Sequence, residues 1–113
     1  MLFRSEDEQR AQRYYNNALA LPGDAPKDMS GALCRRIISD HLRCPSALCV
    51  LTIQDWLAID EKLRLPDPSR ERINIPANPR HYWRFRLHLD MEKLLSADEL
   101  NKNIKQLIST TRP

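Results

Sequence analysis

The sequence predicts an α/β fold that is mostly helical and carries a single strand belonging to a larger sheet. Three observations lead there. Leu33, Cys34, Ile37, Ile38, His41 and Leu42 recur at three and four residues, the spacing of one helix face. Ser46 to Ile53 is a continuous apolar run with β-branched residues, the pattern of a strand buried on both faces of a parallel sheet. No second segment of that kind follows, so such a strand would leave its backbone N–H and C=O groups without partners unless other sequence supplied them.

The elements follow in order. Ser5 and Glu8 form a capping box that opens a helix from about Glu6 to Leu19, ended by Pro22-Gly23. A second helix is expected over Gly31 to Arg43, stopped by Pro45. The strand over residues 46–53 leads directly into Gln54-Asp55-Trp56, and the C-terminal end of a barrel or open-sheet strand is where α/β proteins bind ligands. After Trp56 the pattern predicts a short helical stretch to about Leu63, then a proline-marked loop over Leu65 to Arg72. A second capping box, Ser96-Ala97-Asp98-Glu99, opens a last helix with Leu100, Ile104, Leu107 and Ile108 on one face.

Composition narrows the class of protein. The chain has 113 residues, 42% hydrophobic and 29% charged, enough for one folded core. Its 18 basic against 15 acidic residues give a net charge of +3, too small an excess to demand a polyanionic partner. No run approaches the ~18 apolar residues of a membrane span, and the N-terminus carries no signal-peptide pattern, so a cytoplasmic protein is expected. Cys34, Cys44 and Cys49 are an odd set without CxxC spacing, the pattern of reduced thiols. Although they lie near His41, positions on a helix stripe and inside an apolar run favour core packing over zinc, and no metal or cofactor is expected.

The chemistry-bearing candidates sit late in the chain. Asp60 and Glu61 read as a solvated face rather than a glycosidase pair. From Arg80 to Leu87 the residues alternate, with Trp83, Phe85 and Leu87 opposite Tyr82, Arg84 and Arg86. Two readings compete there: packing of Trp83 and Phe85 into a core, or arginines on phosphate with aromatics under bases. Packing is favoured.

The order of residues carries a further signal. Gln54-Asp55-Trp56-Leu57, then Glu71-Arg72-Ile73-Asn74-Ile75-Pro76-Ala77-Asn78-Pro79, then His81-Tyr82-Trp83-Arg84-Phe85-Arg86-Leu87 strongly resemble the C-terminal end of the 4-alpha-glucanotransferases, the amylomaltases or disproportionating enzymes of the α-amylase-like superfamily. Glu6 to Asn16 and Gly23-Asp24-Ala25-Pro26 resemble the preceding family helix and turn, whereas Met1-Leu2-Phe3 departs from the family's glycine and paired tryptophans.

The resemblance implies the C-terminal portion of a (β/α)8 TIM-type barrel, with residues 1–113 a single partial domain and 46–53 the eighth strand. It implies transfer of α-1,4-glucan segments between maltooligosaccharides by a retaining double displacement. The family's three catalytic carboxylates lie upstream of the region covered, so no catalytic residue is assigned and the isolated chain is expected to be inactive. Asn74, matching the asparagine of the family's R-x-N-x-P motif, is the expected sugar contact, with Gln54 and Asp55 as further substrate-binding candidates. Glucans, and neither nucleic acid nor membrane, are the expected partners. A small basic nucleic-acid-binding or protein-interaction module is the alternative.

Overall fold

The computed structural model describes residues 7–112, so Ser5 of the expected first capping box lies outside the described residues. Within the described residues Asp7 caps the helix: its carboxylate accepts from the Arg10 N–H at 2.9 Å, opening α1 over Glu8–Arg13. The helix widens into a π turn over Tyr14–Ala18, where the Leu19 N–H reaches the Tyr14 carbonyl at 3.0 Å. Ala20 then adopts a left-handed conformation, φ +51°. Amide side chains pin the returning chain to α1. Gln12 donates to the Gly23 carbonyl and accepts from the Ala25 N–H, both at 2.8 Å, while Asn16 donates to the Leu21 carbonyl at 2.8 Å.

The second helix, α2, spans Gly31–Arg43 as its apolar stripe predicts, with the Ser30 hydroxyl accepting from the Leu33 N–H at 3.1 Å. Two clusters form on its apolar residues. Leu33 and Cys34 join Leu19 and Met29 beneath Tyr15, Leu21 and Ala58. Ile38 and Leu42 join Leu107 of the last helix, with Trp56, Cys49 and Leu51 against them. Ile59 packs on both clusters and so links the two halves of the core.

The expected buried strand over 46–53 is not formed, and among the described residues there is no strand element. Residues 46–52 run irregularly over the surface, with Leu48 and Val50 77% and 80% exposed. The reason is the one that made the run a puzzle in the sequence: nothing among the described residues offers the ladder of hydrogen bonds a strand requires. The helical stretch expected after Trp56 begins earlier, as α3 over Ile53–Leu57, because Thr52 and Asp55 form a capping box. Leu57 within it is fully buried.

After α3 the chain passes through turns, a 3-10 turn over Pro68–Glu71 and an extended segment. It then forms α4, Met91–Leu95, which the sequence reading did not identify although Asp90 caps it by accepting from the Lys93 N–H at 3.1 Å. Ser96 belongs to the end of α4: its hydroxyl donates to the Glu92 carbonyl at 2.9 Å. It does not cap α5, Asp98–Thr111, whose N-cap is Ala97 with no side-chain bond. Helix α5 buries Leu100 and Leu107 while Ile108 stays largely exposed, and it packs on α2. Arg112 seals that contact by donating to the carbonyls of Leu42 at 2.9 Å, Cys44 at 3.2 Å and Ser46 at 3.0 Å, acceptors that a helix end leaves open. Among the described residues no helix is long and apolar enough to cross a membrane.

Three outcomes follow from this packing. Ala20→Gly relieves the left-handed alanine and is expected to raise stability by about 1 kcal/mol, read as a higher urea midpoint. Gly31→Ala places a Cβ 2.6 Å from the Ile59 carbonyl oxygen and is expected to destabilise by roughly 1–3 kcal/mol in the same assay. Iodoacetamide is expected to modify exposed Cys44 first and buried Cys34 last, because burial pushes the Cys34 thiol up and keeps it protonated. Since that pKa is raised on folding, its stabilising contribution is present below the thiol's unfolded pKa and fades as pH rises through the folded value.

Candidate functional site

The site candidates gather around the start of α3 and the loop that carries Asn74. Thr52 and Asp55 lock the first turn of α3 reciprocally. The Asp55 carboxylate accepts from the Thr52 N–H at 2.7 Å and from its hydroxyl at 2.8 Å, while the Thr52 hydroxyl accepts from the Asp55 N–H at 3.2 Å. This turn fixes Gln54, whose Nε2 donates to the Glu71 carbonyl at 3.0 Å. A single side chain thus ties α3 to the polypeptide just before Asn74.

The loop is shaped from within as well. Pro68 starts its 3-10 turn, and Asp67 caps it by accepting from the Ser69 N–H at 2.9 Å. The bonds from the Ser69 side chain and backbone hold the Asp67 carboxyl below the usual carboxylate range. Beyond Asn74 the Asn78 side chain accepts from the Arg80 N–H at 3.0 Å, and the Asn78 carbonyl from the His81 N–H at 3.0 Å, an Asx turn followed by a tight reversal. His81 then folds back so that its Nε2 donates to the Ile73 carbonyl at 2.7 Å, since a carbonyl can only accept. His88 does likewise with the Leu63 carbonyl, leaving its buried Nδ1 without a hydrogen-bond partner among the described residues.

Asn74 comes directly after two backbone anchors. The backbone is held at Glu71 by Gln54 and at Ile73 by His81, and the Asn74 side chain is exposed with no hydrogen bond among the described residues. An amide so placed offers a donor and an acceptor to one ligand at once. Gln54 and Asp55 are positioned by different bonds: Gln54 holds the loop and Asp55 holds its own helix end. Each keeps one side-chain oxygen, Gln54 Oε1 and Asp55 Oδ1, without a hydrogen bond among the described residues.

The aromatic stretch departs from the packing reading. Trp83 and Tyr82 are 75% and 73% exposed, and only Phe85 of the alternating set is half-buried with Leu87. The Arg84 guanidinium lies over the Tyr82 ring, 5.2 Å from its centre. Sequence reasoning also missed the structural parts played by Thr52 and His81. The Thr52-to-Asp55 spacing was a readable signal; the fold-back of the His81 side chain onto the Ile73 carbonyl left none.

Comparison with known proteins places the chain in a family. The family profile for 4-alpha-glucanotransferase, Glyco_hydro_77, matches residues 1–92. The chain is 32% identical over 106 residues to 4-alpha-glucanotransferase DPE2 of Oryza sativa subsp. japonica, an alignment covering 94% of this chain and 11% of that protein. No solved structure matches significantly. The 113 residues, spanning about a tenth of the length of that curated relative, belong to the 4-alpha-glucanotransferase family.

Proposed function

We propose that this chain is the C-terminal part of the catalytic barrel of a 4-alpha-glucanotransferase, a single partial domain over residues 1–113. The complete enzyme transfers α-1,4-glucan segments between maltooligosaccharides. The observation that carries this reading is the family match over residues 1–92. Exposed Leu48 and Val50 support it, because apolar side chains left open on so small a body are surface that further polypeptide would cover.

In this reading the chain contributes to sugar recognition and not to bond cleavage. Retaining transfer needs a carboxylate nucleophile and a carboxylic acid/base flanking the glycosidic bond, and those groups come from elsewhere in the enzyme. Asn74 supplies a donor and an acceptor to sugar hydroxyls, held in place by Gln54 and His81. Gln54 and Asp55 complete the substrate-binding set through their remaining side-chain oxygens. The setting is cytoplasmic, in keeping with three unpaired thiols.

The test is disproportionation of maltotriose, followed as released glucose. The full-length protein is expected to produce glucose and longer maltodextrins, and the 113-residue chain alone to give no more glucose than buffer. Asn74→Ala in the full-length protein is expected to lower kcat/KM about three- to tenfold, the worth of one or two hydrogen bonds, without lowering the melting temperature. A full-length protein without transfer activity, or an isolated chain that has it, overturns the assignment.

A further inference from the structure

Helix α2 has a second face besides its core stripe. Ala32, Arg35, Arg36, Ser39 and Arg43 line a cavity of about 440 Å³ there, remote in sequence from the Asn74 loop. Three guanidinium groups share it. Asp40 is the carboxylate that answers them, bonded through both oxygens to Arg36 Nε at 3.2 and 3.1 Å and lying 3.8 Å from Arg43 Nη1.

Arg35 has no such compensation among the described residues. Among the described residues its Nη2 reaches only the neutral Gln106 Oε1 of α5, at a long 3.4 Å, and its Nε is shut off from solvent without an acceptor. A guanidinium that has lost part of its hydration and gained no anion is costly; its Nε is closed to any ligand, but an anion in the cavity that meets the terminal nitrogens supplies the missing countercharge. Ser39 adds a hydroxyl from a largely buried residue on the same wall, and Arg43, the more exposed arginine, can swing inward. Guanidinium forks match tetrahedral oxyanions in geometry as well as charge.

We propose that this face of α2 binds a small tetrahedral oxyanion, a phosphate either free or as a monoester. Arg35 is its principal ligand, Arg36, Arg43 and Ser39 assist, and Asp40 competes with the ligand for two of the arginines.

The test is isothermal titration of the full-length protein at constant ionic strength, with inorganic phosphate in one arm and glucose 6-phosphate in the other. Constant ionic strength matters because screening alone changes an exposed charge cluster. Saturable binding of one phosphoryl group per chain is expected. Arg35→Gln is expected to weaken it about tenfold, Arg43→Gln, a surface change, to weaken it about threefold, and Asp40→Asn to tighten it about threefold. Equal affinity in the two arms identifies the free anion as the ligand; tighter binding of the ester identifies the monoester. Absence of saturable binding in both arms overturns the proposal, as does an affinity that Arg43→Gln and Asp40→Asn leave unchanged. Maltotriose transfer is expected to be unaffected by Arg43→Gln, so failure here and failure of the glucanotransferase reading are separately visible.

Discussion

The close approach between the first residue of α2 and the turn after α3 is the constraint from which the rest of the arrangement follows. Gly31 donates its N–H to Glu61 Oε1 at 2.6 Å, and any Cβ at that position would stand 2.6 Å from the Ile59 carbonyl oxygen. The absence of a side chain lets the turn dock on the helix start. Docking in turn drives the Ile59 side chain into both hydrophobic clusters, so the halves of the core meet at one residue. Because α3 is fixed by the same turn, Gln54 is presented to Glu71, and the Asn74 loop takes its position from a packing event some forty residues upstream in the chain.

Polar groups finish what this packing begins. Arg112 satisfies three carbonyls around the C-terminal end of α2, a position where a helix would otherwise leave acceptors open. The amides of Gln12 and Asn16 do the equivalent for the turn after α1. Each substitutes a side chain for the regular backbone bonding that an irregular connection lacks. That is how a chain with two glycines and eight prolines keeps its connections in place.

Legibility in the sequence tracked the range of the interaction. Helix α2 was readable because a stripe at three- and four-residue spacing is a local pattern and its core contacts agree with it. The run over 46–53 was misread because apolar content reports a tendency to be buried, whereas a strand also needs hydrogen-bonding neighbours that no local pattern supplies. Thr52 and Asp55 carry a capping signal at the end of the apolar run and Asp90 carries one before α4; neither enters a reading built on apolar periodicity. At the candidate site, Asn74 was singled out by its resemblance to a family motif and not by any pattern of charge or hydropathy. Its support from Gln54 and His81 comes through side-chain bonds to the backbone at Glu71 and Ile73 that follow no helical or strand period, so the spacing of residues could not announce it.

The central claim is that the loop bearing Asn74 meets the glucan in the complete enzyme. Hydrogen–deuterium exchange of the full-length protein, with and without maltoheptaose, tests it at the level of the segment. The account predicts slowed exchange in peptides covering residues 71–78 when the sugar is present, because a ligand bridging the Asn74 amide restrains a loop already held at Glu71 and Ile73. Sugar-dependent protection elsewhere in the enzyme with no change over 71–78 would contradict it.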